Sequence, residues 1–469
     1  MKKRKQKEIL SKKLTHPNYI FCLKKERNWC LYNALTLKKC YGGKELSAVY
    51  RLTNKLIEEE ILVRKLINCD HDPEEIKKLI RELKKEKFLV YSNFSGEKFR
   101  EKIKNGLKKI KYQPMGMYLL VSTGCNYRCK YCCLEHSIDT HSLQPKLMSF
   151  KVAREAVNFF FKSSPNPQYI CFFGGEPLIN FKIIKEIVEY INTEYPNKKI
   201  FFRINTNGSL VNQEIAEFFA KYNFVIGVSI DGTKKYHNSC RVYPNDKGTF
   251  EDTIKGWHLL QKAGCKNLGT VAVLNSQNIE AVEKNILFFL DELKADSINF
   301  EPVGIITEPQ YLYLYPSPKK VAQALVKNYE NLESRGKLDN YIARFLIHFL
   351  GEKVLFCRCG SRYGSLIIDP QGNKGPCFNF LGSVYFSKKG ITYAKEWKNI
   401  SPVNMPECTN CIAIGICGGI CAAHARAVGG NIRSIDLEYS CEIMKEILRW
   451  MIWDLEKRLA SKNEAKNKP

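Results

Sequence analysis

From residue 116 onward the chain alternates between strand-like and helical runs. The strand-like runs are MYLLVST, YICFFGG, KIFFRINTN, FVIGVSIDG, LGTVAVL and SINFEPV. Helical stretches lie between them, near 149–163, 181–194, 212–222, 249–263 and 278–293. Strands separated by helix-length crossovers cannot form tight hairpins, so they pair in parallel. Six such strands predict an α/β fold, a parallel sheet either open or curled into a partial (β/α)6 TIM-type barrel. Sheets of this kind gather their chemistry at the carboxyl ends of the strands.

The flanking segments have a different texture. Residues 1–13 form a charged tail. Residues 18–42 suggest two strands, NYIFCLKKE and NWCLYNALTLKKCY, joined by a polar turn at Glu26–Arg27–Asn28. Helical periodicity follows over 44–62, a second helix starts at Asp72-Pro73, and FLVYS at 88–92 suggests a strand. The predicted unit over 1–95 is therefore a small α+β, winged-helix-like domain. A Lys-rich linker helix is expected over 96–112, the sheet core over 113–310 and bridging helices over 311–354. Residues 355–445 are rich in Cys and Gly, as expected of a domain held by metal rather than by a large apolar core. An amphipathic helix carrying Trp450 and Trp453 and a Lys- and Asn-rich tail complete 446–469.

Nineteen cysteines need an explanation. The count is odd, the basic N-terminal stretch has no apolar segment behind it, and the cysteines cluster at short spacings. These features favour metal ligation in a reducing cytoplasm over disulfides. No run of about 18 uncharged apolar residues suggests a membrane helix. The formal net charge is +26, with the lysines spread along the chain. Solvated faces explain this spread, and attraction of an acidic peptide or nucleic acid is the other reading. A nucleic-acid partner is not expected.

Four motifs stand at predicted strand ends. STGCNYRCKYC places Cys125, Cys129 and Cys132 on one loop, spaced C-x3-C-x2-C, with the aromatic Tyr131 before the last. Three thiolates can cap three irons of a four-iron cluster and leave the fourth open, whereas a structural cluster takes four. A zinc knuckle or free thiols are the alternative, and Cys133 is assigned to packing. FFGGEP offers Gly174 and Gly175 for close backbone approach and Glu176 as a carboxylate for an ammonium group. NTNG (Asn205–Gly208) and SIDG (Ser229–Gly232) offer polar groups for a ribose and a carboxylate, or simply form Asx-type turns. Glu301 and Arg241 are weaker candidates.

A further set lies near the C-terminus. CTNCIAIGICGGIC spaces Cys408, Cys411, Cys417 and Cys421, and Cys441 follows. Cys357 and Cys359 stand upstream, then Gly372-x4-Cys377. Iron–sulfur ligation and a zinc-bound module both fit these spacings. Cysteines 22, 30, 40, 69, 171, 240 and 265 lie mostly in apolar runs and suit small buried hydrophobes.

The first loop resembles the CxxxCxΦC signature, Φ being aromatic, of the radical S-adenosylmethionine (SAM) superfamily. The resemblance implies that Cys125, Cys129 and Cys132 hold a catalytic [4Fe-4S] cluster whose open iron binds S-adenosylmethionine. It also implies that Gly174, Gly175 and Glu176 receive the methionine amino group. Tyr131, Asn207, Ser229 and Asp231 are then expected near that cofactor or the substrate. The C-terminal pattern resembles the SPASM domain of radical enzymes that modify peptides. That resemblance gives Cys408, Cys411, Cys417 and Cys441 one auxiliary cluster. It gives Cys359, Cys377 and Cys421 a second, with Cys357 as a candidate fourth ligand or an iron left open.

The N-terminal unit resembles, in element order, the PqqD-like domain that binds the leader of a ribosomally made precursor peptide by strand addition. A generic, nucleic-acid-binding winged helix is the alternative. Together these resemblances imply hydrogen abstraction from a bound peptide by a 5′-deoxyadenosyl radical. The expected product is a thioether or other cross-link, and the expected electron donor a ferredoxin or flavodoxin. An anaerobic sulfatase-maturing activity is a rival. That subfamily carries an Asp base directly after the Cys of the G-x4-C step, where this chain has Phe378. A non-catalytic iron–sulfur electron carrier or a nucleic-acid-binding regulator is the rival outside the enzymes.

Overall fold

The structure, a computed structural model, describes residues 13–67, 72–94, 96–109, 111–135, 140, 142, 144–306, 308–337, 339–360, 364–388 and 400–466, with side chains to 461. Cys69 and nearly all of the charged tail over 1–13 lie outside the described residues.

The N-terminal unit contains β1 (Lys13–Thr15), β2 (Ile20–Lys25), β3 (Asn28–Asn33), β4 (Lys39–Gly42), β5 (Ile57–Glu58) and β6 (Val90–Tyr91). Strands β2, β3 and β4 form an antiparallel meander, while β5, β1 and β6 form a second small sheet. The turn at Glu26–Arg27 is present, with Glu26 at a φ of 53°. The single strand expected over 28–42 is instead a hairpin. The Asn33 side chain accepts the N–H groups of Leu35 and Thr36, and Leu37 takes a φ of 61°, so the chain reverses there. Three helices complete the unit, Lys44–Leu52, Glu59–Ile67 and Pro73–Lys85. Asp72 caps the last by accepting from Glu74 and Glu75, with Pro73 in the first turn.

The centre is a mixed sheet of eight strands. Its parallel series is β7 (Gly116–Ser122), β8 (Tyr169–Gly174), β9 (Phe201–Thr206), β10 (Val225–Ser229), β11 (Asn267–Leu274) and β12 (Ser297–Pro302). They stand side by side in sequence order, as in a barrel rather than a doubly wound sheet, and the crossover helices keep them parallel. Two strands from the C-terminal part extend the sheet. β13 (Ser365–Ile368) lies parallel to β7, and β14 (Lys374–Gly375) is antiparallel to β13. Their shortness and Gly-rich setting hid them from periodicity. The sheet is a partial barrel.

Its two faces differ. Along β9, Phe202, Ile204 and Thr206 are buried while Phe201, Arg203 and Asn205 are exposed. Alternate residues of a strand point to opposite faces, so the apolar set packs on the helices. Phe160, Ile184, Phe219, Trp257 and Phe289 meet it there, each fully buried. On β9 the other face is open to water, unlike the packed interior of a closed barrel. The helix expected over 278–293 is broken into a 3-10 turn (Ile279–Ala281), an α-turn (Val282–Leu287) and a π-turn (Phe288–Glu292).

Helices Pro318–Ser334 and Asn340–Leu350 lead to the Cys-rich part, whose regular helices are Ala422–Gly429 and Ser440–Lys466. The N-terminal unit packs directly on this part. Asn18 Nδ2 donates to Asn410 Oδ1 at 2.8 Å, and Arg100 to the Thr409 carbonyl at 2.6 Å. Tyr41 donates to the Ile452 carbonyl at 2.6 Å. Among the described residues no helix is long and apolar enough to cross a membrane.

Candidate active site

The C-x3-C-x2-C loop leaves the carboxyl end of β7. Backbone bonds fix it: Cys125 N–H to Thr140 O at 2.9 Å, Arg128 N–H to Val242 O at 2.7 Å, and Lys130 N–H to Cys240 O at 3.0 Å. Burial pushes the Cys125 thiol up, and the Cys129 and Cys132 thiols add to it. Cys129 is pushed up to about 12 by burial, against the pull of Arg241. The three thiols therefore stand together in a poorly hydrated pocket. As free thiols they would stay protonated. A metal cation is the kind of partner that makes such a group favourable, since ligation releases the protons.

The GGEP turn rests on this loop. Gly175 N–H donates to the Ser122 carbonyl at 3.1 Å and Glu176 N–H to the Gly124 carbonyl at 2.8 Å. A Cβ on Gly174 would come within 2.5 Å of the same Ser122 oxygen. The structure thus gives these glycines a task besides ligand approach: they let β8 close on the cysteine loop. Gly174→Ala is expected to force the two apart, at a cost of about 1–3 kcal/mol. Iron per chain in the anaerobically purified variant checks it, a fall being the expected result and wild-type content the contrary one.

Glu176 is buried, and both of its oxygens are engaged. Oε1 accepts from Thr206 Oγ1 at 2.7 Å and from Leu178 N–H at 3.0 Å, and Oε2 from Asn207 N–H at 2.7 Å. Burial raises the carboxyl to about 7, with these donors pulling the other way. Asn207, at the end of β9, donates to Asn126 Oδ1 at 2.8 Å, and Asn126 donates to Ser209 Oγ at 2.9 Å. Asn126 lies inside the first C-x3-C step. It links the cysteine loop to NTNG, and only spatial proximity reveals that role. Ser229 is half-buried at the end of β10.

Asp231 is fully buried behind the loop. Its carboxylate accepts from Tyr131 Oη, from Arg241 at 3.1 Å and from Val273 N–H at 2.9 Å. The Arg241 guanidinium lies over the Tyr131 ring, 5.5 Å from its centroid, and reaches Cys129 Sγ at 4.0 Å. Asp231, Tyr131 and Arg241 thus form one polar cluster bracing the loop from behind.

In the C-terminal part, Cys408, Cys411, Cys417 and Cys441 line one apolar cavity together with Ile414 and Met444. Burial and then the other three thiols push Cys441 up to about 12. Asp436 sets its position, accepting from Tyr439 and Ser440 N–H and from His424 Nε2 at 2.9 Å, while Cys441 N–H donates to its carbonyl at 3.2 Å. Cys359, Cys377 and Cys421 form a second group. Burial raises Cys377, followed by the Cys421 and Cys359 thiols. Among the described residues no three His, Cys, Asp or Glu side chains converge as the ligands of a single ion would. A four-iron cube spreads its ligands over separate corners, so it asks for a wider set of thiols than a single ion does.

Two further side chains face the open interior. Glu301, at the end of β12, is solvent-exposed, yet enclosure raises its carboxyl against the pull of Arg344 and Arg358. Phe378, next to Cys377, stacks on Phe173 of FFGGEP with centroids 4.6 Å apart. The position where sulfatase-type maturases place a carboxylate base is here an apolar wall.

Comparison with known proteins agrees with this geometry. The family model described as the Radical SAM superfamily matches residues 119–289, the span from β7 into the π-turn. The chain carries a radical SAM domain. It is 25% identical, over 94% of its own length and 96% of the relative's, to the radical SAM cyclopropyl synthase TigE of Paramaledivibacter caminithermalis. It is 24% identical to a cysteine-type anaerobic sulfatase-maturating enzyme of Clostridium novyi, over 64% of this chain and 85% of that one. Streptococcus suis SuiB, solved bound to its precursor peptide SuiA, shares the fold. The TM-score is 0.50 at 16% identity, over 91% of this chain and 98% of SuiB. This radical SAM protein is accordingly an enzyme, related to a radical SAM cyclopropyl synthase and to sulfatase maturases.

Proposed function

We propose that this radical SAM enzyme modifies a ribosomally made precursor peptide, cross-linking it after hydrogen abstraction. The observation that carries the reading is the Phe173–Phe378 stack. It joins the Cys-rich part to the GGEP strand inside the barrel, so a substrate in the cavity lies between the first cysteine loop and the Cys377 group. Cys125, Cys129 and Cys132 would hold the [4Fe-4S] cluster. Gly174, Gly175 and Glu176, with Asn207 and Ser229 on the next strand ends, would surround S-adenosylmethionine. When bound, that pair supplies the 5′-deoxyadenosyl radical that takes hydrogen from the peptide.

The chain's own residues do the remaining work. Glu176 keeps the ends of β8 and β9 in register through its three hydrogen bonds. Asp231 and Tyr131 hold the cysteine loop rigid. Phe173 and Phe378 exclude water from one wall, and Glu301 offers a carboxylate on another. The groups Cys408, Cys411, Cys417, Cys441 and Cys359, Cys377, Cys421 would hold two auxiliary clusters in a SPASM-type domain, accepting an electron after abstraction. The N-terminal unit would hold the peptide's leader. Its meander ends in two edge strands, β2 and β4, which offer backbone groups to an added strand. A ferredoxin or flavodoxin would supply the electron, in the cytoplasm.

The bond formed is a thioether or another cross-link. Similarity to TigE over nearly the whole chain favours carbon–carbon bond formation as the second reading. One assay tests the proposal. Anaerobically reconstituted protein should hold roughly eight to twelve irons and release 5′-deoxyadenosine on reduction. Intact clusters without that product would reject it.

A further inference from the structure

Cys133 was assigned to packing, yet it stands between two cysteine groups. The segment after β12 shows this. Val303 and Ile306 pack with Tyr131 and Cys129 of the first loop. Ile305 packs with Cys377 and Cys421. Gly304, between them, sits against Cys133, and a Cβ built on it would lie 4.0 Å from the Cys133 Cβ. One short strap therefore touches both sites, and Cys133 lies beside its midpoint.

The thiols are near one another as well: Cys133 is within electrostatic reach of both Cys421 and Cys377. Cys357, the ligand that sequence order suggests, is engaged by the backbone of its own turn. Its Sγ lies 3.1 Å from the Cys359 carbonyl and accepts the Cys359 N–H at 3.3 Å.

We propose that Cys133 is the fourth thiolate of the auxiliary cluster held by Cys359, Cys377 and Cys421. This rests on the auxiliary-cluster reading above. A fourth thiolate closes a four-iron cluster. Neighbouring residues, Cys132 and Cys133, then serve two different clusters, and the backbone between them ties the clusters together. A closed cluster has no iron for a substrate thiol, so its task is electron transfer. The loop that binds S-adenosylmethionine would shift whenever the auxiliary site is emptied.

The test uses the full chain in a Cys125→Ala, Cys129→Ala, Cys132→Ala background, where only auxiliary clusters contribute. That parent should hold about eight irons. Adding Cys133→Ala should convert one cluster to a three-iron form or lose it, reducing iron by one to about four per chain and changing the electron paramagnetic resonance of the reduced protein. Cys133→Ser, which keeps the volume and offers an oxygen ligand, should retain the iron with an altered spectrum. Cys357→Ala should leave both readouts unchanged. Iron and spectrum unchanged in Cys133→Ala, or altered in Cys357→Ala instead, overturns the assignment. A parent that holds no iron at all rejects the auxiliary clusters themselves, and the assignment with them.

Discussion

Replacing Cys125, Cys129 and Cys132 together with alanine is expected to abolish 5′-deoxyadenosine release while leaving about two-thirds of the iron. The reason is spatial separation. The first group is fixed by backbone bonds to Thr140, Val242 and Cys240 around the end of β7. Cys408, Cys411, Cys417 and Cys441 line a cavity of their own, built from the 402–444 region. Alanine removes ligands without burying an unpaired polar group, so the rest of the chain should fold as before. If three four-iron clusters are present, iron should fall from about twelve to about eight per chain. Colorimetric iron analysis and chromatography of the reduced reaction read both quantities. Continued formation of 5′-deoxyadenosine would disprove the role given to this loop.

The second large effect is expected at Asp231→Ala. Asp231 is fully buried and neutralises Arg241, whose guanidinium is itself enclosed. Removing one member of a buried pair leaves the other charge uncompensated, at a cost of about 3–5 kcal/mol. Arg241 also reaches Cys129, and Tyr131 loses its acceptor, so the cysteine loop should loosen as well. Thermal unfolding of the apoprotein should show a clearly lower midpoint, and reconstitution should load the first cluster poorly. Asp231→Asn keeps an acceptor for Val273 N–H and should fall between the two. A wild-type midpoint in the alanine variant would mean that the cluster does not brace the loop.

These two sites illustrate what a linear reading can reach. The Cys125 loop was legible because its ligands are close in sequence, and a strand end precedes them. GGEP was legible for the same reason, although the partner its glycines approach, the Ser122 carbonyl, was not. The SIDG motif suggests a ligand contact for Asp231, but its carboxylate is occupied by residues 100 and 10 positions away, Tyr131 and Arg241. Turn residues look alike in sequence whether they face a ligand or a neighbour.

The fold divides along the same line. Alternating strand and helix runs determined the six parallel strands, because each crossover needs a helix and each helix buries one face, while their side-by-side order came only from the tertiary structure. The sequence also determined that two clusters of cysteines, far apart in the chain, suit metal. It did not reveal β13 and β14, whose few residues carry too little periodicity, or the hairpin that splits the expected strand at Asn33. Only the tertiary structure placed Phe378 on Phe173, turning the rival's base position into an apolar wall. Only it set Cys133 beside Gly304, between two cysteine groups. Spacing along the chain fixes which ligands can share a loop, while packing across the sheet decides which loops can share a cluster.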